Sequence, residues 1–155
     1  MSTPDRSRFL LIERVLLLKS LSIFSDTPET ILAEIAHLLV EESVPEDKTI
    51  VQENEPGDCM YIIFSGSVSV YKGRQLLATL KEKDFFGELS LLDTETRSAT
   101  VKANTDCTLF RIDQEPFYAL METRPEVVKG VMKILCKRIR TMNEKLLELQ
   151  QQSNN

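Results

Sequence analysis

Histidine is almost missing from this 155-residue chain: His37 is the only one. Most Ser-His-Asp triads, His-rich metal sites and His-ligated metalloenzymes are thereby excluded, so an enzyme would have to work with carboxylates, lysines or tyrosines. His37 has Glu34 and Glu41 three and four residues away, and Ile31, Ile35 and Leu38 define another helical face. It reads as a solvated helix histidine. Cysteine is scarce and odd in number. Cys59, Cys107 and Cys136, 48 and 29 residues apart, fit neither a disulfide framework nor a zinc spacing, so a reducing, cytoplasmic compartment is expected and each thiol reads as a small buried hydrophobe. Long apolar runs are absent too. The longest, Cys59 to Phe64, has six residues, against about 20 for a membrane span. The Phe9 to Leu18 stretch is broken by Glu13 and Arg14, so neither a span nor a secretory signal is expected. Basic charge is in deficit, 19 Lys and Arg against 24 Asp and Glu for a net of −5, which argues against holding duplex DNA by phosphate neutralisation.

The first 56 residues contain no glycine, whereas Gly57, Gly66, Gly73 and Gly87 crowd into 31 residues. Helical spacing over Phe9 to Leu18 and Ile31 to Leu39, with a helix start at Thr27-Pro28-Glu29, predicts two N-terminal helices within residues 1–42. From Ser43 to Ile112 the period drops to two, in Ser67 to Tyr71 and Ser98 to Ala103. Leu76 to Leu80 and Cys107 to Ile112 are short strand-like runs, and turn signals at Glu55 to Asp58, Ser65-Gly66 and Lys72-Gly73 separate the segments. Seven or eight antiparallel strands over 43–113 follow, a small sandwich or barrel. Pro116 opens a short helix, and Thr123 with Glu126 forms a capping box for a longer one ending near Leu149, so 114–150 is helical. Residues 26–128 carry 20 acidic and 9 basic side chains, 9 − 20 = −11, and residues 129–145 six basic and one acidic, 6 − 1 = +5. Lys129, Lys133, Lys137 and Arg140 lie on one helical face and read as a solvated face.

The chemistry concentrates in residues 85–101, from Phe85-Phe86-Gly87-Glu88-Leu89-Ser90 to Arg97-Ser98-Ala99-Thr100-Val101. A glycine admits close backbone approach, a short helical turn presents free N–H groups, and an arginine fork engages two phosphate oxygens, which together fit a small anionic phosphate ester. Glu88, an acceptor at neutral pH, would serve a ribose hydroxyl. On physics alone a structural ion pair between Glu88 and Arg97 stays open.

The string Phe-Gly-Glu-Leu-Ser-Leu-Leu followed by Arg-Ser-Ala-Thr-Val resembles the phosphate-binding cassette of the cyclic nucleotide-binding domain family. Upstream, Glu55 to Val70 resembles the family's glycine-marked strand pair, and the resemblance spans roughly residues 20–145. It implies an α+β, mainly β fold: an eight-stranded antiparallel, jelly-roll-like β-roll with N-terminal helices and C-terminal B and C helices. It also implies a ligand site of Phe86, Gly87, Glu88, Leu89, Ser90, Arg97, Ser98 and Ala99, with Glu88 on the ribose 2′-OH and Arg97 on the cyclic phosphate. Val70 and Leu77 match sugar or base contacts of some relatives, and Met142 and Asn143 match C-helix residues that approach the base.

Two departures bear on the ligand. Thr96 stands where a proline is frequent, and Ser98 where kinase-type domains often have alanine for cAMP or threonine for cGMP, so the cassette leaves the base preference open; since some cAMP receptors of the family also carry serine here, cAMP is expected first and cGMP second. The resemblance implies no hydrolysis chemistry and no cofactor beyond this regulatory ligand; the expected role is a sensor that moves the C helix and controls an unidentified effector. Leu135, Ile139, Met142, Leu146 and Leu149, spaced 4, 3, 4 and 3, form a heptad seam suited to a homodimer. The polar end from Leu149 to Asn155 is too short for a helix-turn-helix, so no nucleic-acid contact by this chain is expected. The alternatives are the sensor fragment of a transcription regulator whose DNA-binding domain is absent, and a ligand-free structural roll.

Overall fold

The computed structural model describes residues 10–154; Phe9 and Asn155, which close the two ends of the segments read above, lie outside the described residues. The chain forms two compact units, one ending at Ala119 and the other beginning at Leu120.

The first unit opens with α1 (Leu11–Ser20), a 3-10 turn (Ser22–Phe24) and α2 (Glu29–Ala36). Leu18, Leu21, Phe24, Leu32 and Ile35 are buried. Pro28 caps α2 and Glu29 sits in its first turn, where a negative charge opposes the helix dipole. The helix stops at Ala36, leaving His37 exposed at its C-cap. Arg14 ties these helices to the strands: its Nη1 donates to the Leu39 carbonyl at 3.0 Å and its guanidinium lies 5.6 Å above the Phe110 ring.

Ten short strands follow: β1 (Val40–Val44), β2 (Thr49–Val51), β3 (Pro56–Gly57), β4 (Cys59–Ser65), β5 (Val68–Lys72), β6 (Gln75–Leu80), β7 (Phe85–Phe86), β8 (Glu95–Thr96), β9 (Thr100–Ala103) and β10 (Cys107–Asp113), with the helix α3 (Glu88–Leu92) between β7 and β8. Eight of them make two four-stranded sheets, in the orders β1-β10-β4-β7 and β2-β9-β5-β6, and β3 pairs with β8 as a separate ribbon. Every pair is antiparallel, which gives the expected roll. The strands start at Val40, ahead of Ser43 where the two-residue period begins. Glu41 and Glu42 hide the alternation there, and the Glu42 carboxylate is held across the sheet by Arg111, which also bonds Asp113 at 2.7 Å.

β4 is the central element, and it explains the six-residue apolar run. Successive side chains point to opposite faces of a strand. Cys59, Tyr61 and Ile63 join the roll's interior with Val68, Phe86, Val101, Ala103, Cys107 and Leu109. Met60 and Ile62, on the other face, are buried as well. A strand covered on both sides needs no polar alternation. Gly66 turns β4 into β5 at φ 92°, and a Cβ there would meet the Asp106 carbonyl oxygen at 2.6 Å. Gly57 differs from the turn glycine expected of it: it lies in strand β3, without a left-handed φ.

The helix α4 (Gln114–Thr123) carries the chain across the division, and α5 (Pro125–Ser153) makes up most of the second unit. α4 begins two residues before Pro116, which falls in its first turn. Thr123 closes α4, its hydroxyl donating to the Leu120 carbonyl at 3.2 Å, and α5 is capped at Arg124 with Pro125 as its first residue. The long helix continues to Ser153, four residues past Leu149. Lys129, Lys133, Lys137 and Arg140 are exposed, as are Ile139, Met142, Leu146 and Leu149, while Leu135 is half-buried. Cys136 is exposed, against the buried thiol expected. One residue past a seam position is a rotation of about 100° around the helix, off the apolar stripe. Among the described residues no helix is long and apolar enough to cross a membrane.

Candidate functional site

Two glycines and one arginine make the core of the site. Gly87 adopts the left-handed conformation, φ 81° and ψ 16°, at the N-cap of α3. A Cβ on it would lie 2.5 Å from Arg97 Nη1 and 2.9 Å from the Cys59 carbonyl oxygen, so both backbone angle and space call for glycine. At Gly57 the constraint is space alone, since a Cβ would stand 2.4 Å from Arg97 Nε and 2.7 Å from its Cζ. The guanidinium therefore rests against bare backbone at both positions. Local pairing holds the arginine's own backbone. Its N–H donates to the Glu55 carbonyl at 2.8 Å and its carbonyl accepts from Asn54 N–H at 2.9 Å, beside the β3–β8 pairs Pro56↔Thr96 and Gly57↔Glu95.

Arg97 is 8% exposed. Its Nη2 donates to Cys59 Sγ at 3.3 Å, Nη1 has no hydrogen-bond partner, and none of the salt bridges among the described residues includes it. A buried cation without a carboxylate and with an orphaned donor is costly, on the order of several kcal/mol of desolvation, unless an anion completes it. The neighbouring groups supply none. Burial pushes the Cys59 thiol up from its ordinary range against the opposing pull of Arg97, and burial, then Cys59, raises the Tyr61 phenol. Both stay protonated at neutral pH. Tyr61 stacks on Phe86, ring centres 5.2 Å apart.

The rest of the cassette is anchored from α4. Gln114 receives three strands of the chain at once: its backbone N–H donates to the Asp58 carbonyl at 2.8 Å, its Nε2 donates to the Ser90 carbonyl at 3.2 Å, and its Oε1 accepts from the Thr94 hydroxyl at 2.8 Å. The Tyr118 hydroxyl donates to the Leu92 carbonyl. α3 is thus held at its middle and its C-terminal end, with Ser90 and Leu91 buried, Glu88 half-buried and Leu89 63% exposed.

Among the expected site residues, Gly87 and Arg97 meet directly, with Phe86 buried in the strand just before them. Ser98 is exposed and Ala99 half-buried. Val70 packs on the roll's interior, whereas Leu77 lies on β6 with 52% of its surface exposed. Met142 and Asn143 are exposed residues of α5, in the second unit. Sequence reasoning missed Gly57, Cys59 and Gln114 as neighbours of the cassette. Glu55 to Cys59 carried a visible signal, but as a turn before a strand, and no spacing rule connects residue 57 with residue 97. Among the described residues no group of three metal-ligating side chains occurs.

Residues 41–124 match the family model of the cyclic nucleotide-binding domain. The chain is similar to a CRP-like cAMP-activated global transcriptional regulator of Mycobacterium tuberculosis, 30% identical over 82% of this chain and 59% of that protein. It is also similar to a cyclic nucleotide-gated potassium channel of Mesorhizobium japonicum, 34% identical over 73% of this chain and 31% of the channel. Among solved structures it resembles the N-terminal domain of a transcriptional regulator from Streptomyces coelicolor, with TM-score 0.78 and 27% identity over 84% of this chain and 94% of that one. The regulatory domain of Toxoplasma gondii PKA, crystallised with cAMP, gives TM-score 0.69 and 26% identity over 84% of this chain and 50% of that one. The chain thus spans less than two thirds of the length of these curated relatives.

Proposed function

The chain belongs to the cyclic nucleotide-binding domain family, and from that premise we propose that it is a sensor module that binds a purine 3′,5′-cyclic nucleotide, cAMP ahead of cGMP, and relays occupancy to an effector. The observation that carries this reading is Arg97: buried, charged, in no salt bridge among the described residues and missing a partner on Nη1. A cyclic phosphodiester brings one negative charge and two free oxygens, which the guanidinium fork engages together. Glu88 takes the ribose 2′-OH, and Gly87, Leu89, Ser90, Ser98 and Ala99 line the same cassette. The preference for cAMP is supported by the similarity to a cAMP-activated regulator and to a kinase regulatory domain crystallised with cAMP.

No step of bond cleavage follows from these residues; the output is a population shift set by differential affinity for two conformations. In this reading α5, through Met142 and Asn143, is the element that responds, and its seam from Leu135 to Leu149 pairs with a second copy. Calorimetry with cAMP, cGMP, 5′-AMP and 2′-deoxy-cAMP is the test, with light scattering on the same samples for the pairing. Cyclic ribonucleotides bind more tightly than the other two, and Arg97→Ala weakens them at least tenfold, about 1.5–3 kcal/mol for a lost ionic hydrogen bond. Equal binding of all four ligands, or an unaffected Arg97→Ala variant, refutes the assignment; a monomer with and without nucleotide refutes the pairing.

A further inference from the structure

The contact between Cys59 and Arg97 goes beyond the cassette. A guanidinium has five N–H donors in one rigid plane, and whichever acceptor takes one of them sets where the others point. Here that acceptor is a thiol on the first residue of β4, the best-covered strand of the roll. Cys59 is itself only 7% exposed, and a buried carboxylate at this place would neutralise the cation. Sulfur does neither that nor nothing: it is a weak acceptor without charge. It fixes Nη2 at 3.3 Å while leaving the positive charge and the orphaned Nη1 unspent. Gly57 and Gly87 close the remaining sides, so the plane has one supported orientation.

We propose that Cys59 is the positioning residue for Arg97, a neutral hydrogen-bond acceptor that orients the guanidinium toward the ligand's phosphate without competing for its charge. The proposal rests on the cyclic-nucleotide reading above. The raised thiol pKa supports it, since the protonated thiol persists at neutral pH, and it argues against a reactive thiolate at this position.

The full chain carrying Cys59→Ser, Cys59→Val, Cys59→Asp, Arg97→Ala, or Cys59→Val with Arg97→Ala tests this by cAMP titration. Serine keeps a neutral acceptor of similar size and binds within about twofold of the parent; valine fills the space without an acceptor and binds roughly three- to tenfold more weakly. Aspartate pairs with the cation and repels the phosphate, for a loss on the order of a hundredfold. On the Arg97→Ala background, Cys59→Val costs nothing further, because the residue acts through Arg97. A valine variant that binds like the parent, or one whose loss persists on the Arg97→Ala background, overturns the proposal. The nucleotide-free protein gives an independent reading by NMR: Arg97 side-chain N–H exchange is slow in the parent and the serine variant and faster with valine. Unchanged exchange with valine also overturns it, whereas a parent chain that binds no cyclic nucleotide overturns the functional reading and leaves this exchange comparison to decide the Cys59 contact.

Discussion

Gly57→Ala adds one methyl group to a position with no backbone reason to be glycine, so its effect reports on Arg97 alone. The new carbon would stand 2.4 Å from Nε, 2.7 Å from Cζ and 2.8 Å from Cδ. Carbon contacts relax at roughly 3.5–4 Å, so the guanidinium must retreat by about 1 Å. Such a shift breaks the 3.3 Å contact to Cys59 and carries the fork off any phosphate it had met. Overpacking typically costs about 1–3 kcal/mol of stability. Misplacing an ionic hydrogen bond costs binding another 1.5–3 kcal/mol or so, roughly a ten- to hundredfold loss of affinity. Two controls separate the terms. Gly66→Ala clashes with the Asp106 carbonyl at 2.6 Å and with Cys107, neither of them a cassette residue, and lowers the urea midpoint while the folded fraction keeps its affinity. On an Arg97→Ala background the three atoms nearest to the Gly57 methyl are gone, so both of its costs shrink in a double-mutant cycle. Parent-like binding by Gly57→Ala, or additive losses in the cycle, would refute the reasoning.

Glu88→Gln removes an acceptor charge proposed to face the ribose, so the ratio of cAMP to 2′-deoxy-cAMP affinity should fall toward one in competition titrations; an unchanged ratio assigns Glu88 elsewhere. Arg97→Met should weaken nucleotide binding at least tenfold and leave the nucleotide-free protein as stable as the parent or about 1–4 kcal/mol more stable, because an apolar side chain of similar length removes an uncompensated buried charge. Urea unfolding without ligand reads this directly, and a clear loss of stability would show the guanidinium to be a structural element rather than a waiting donor.

Much of the fold was legible because the elements that carry it are locally marked. β5 and β10 show the strand signals that predict them, and Gly66 and Gly73 stand at positive φ where the turns were read. Local signals failed where tertiary contacts outweigh them. β1 is written in glutamates because Arg111 waits on the partner strand. β3 and β8, two residues each, are too short to show any period, yet their pairing is what brings Gly57 to Arg97. Cys136 looked buried by composition and is exposed by its angle on α5.

The site divides along the same line, and the division has a physical basis. Gly87, Glu88 and Arg97 form a contiguous pattern because a turn and the chain just after it can present a phosphate site within a dozen residues. Keeping the arginine unpaired is a different task. It requires that every group within reach be either apolar, backbone or neutral, and those groups come from distant segments: Gly57 and Cys59 from the ribbon before β4 and the start of β4, with Gln114 holding the Ser90 carbonyl of α3 from the first turn of α4. In a stretch whose charged side chains are mostly acidic, 20 against 9 over residues 26–128, a buried cation would ordinarily find a carboxylate. Among the described residues none forms a salt bridge with Arg97, and a pattern read along the chain can name the donor without showing that its partner has been withheld.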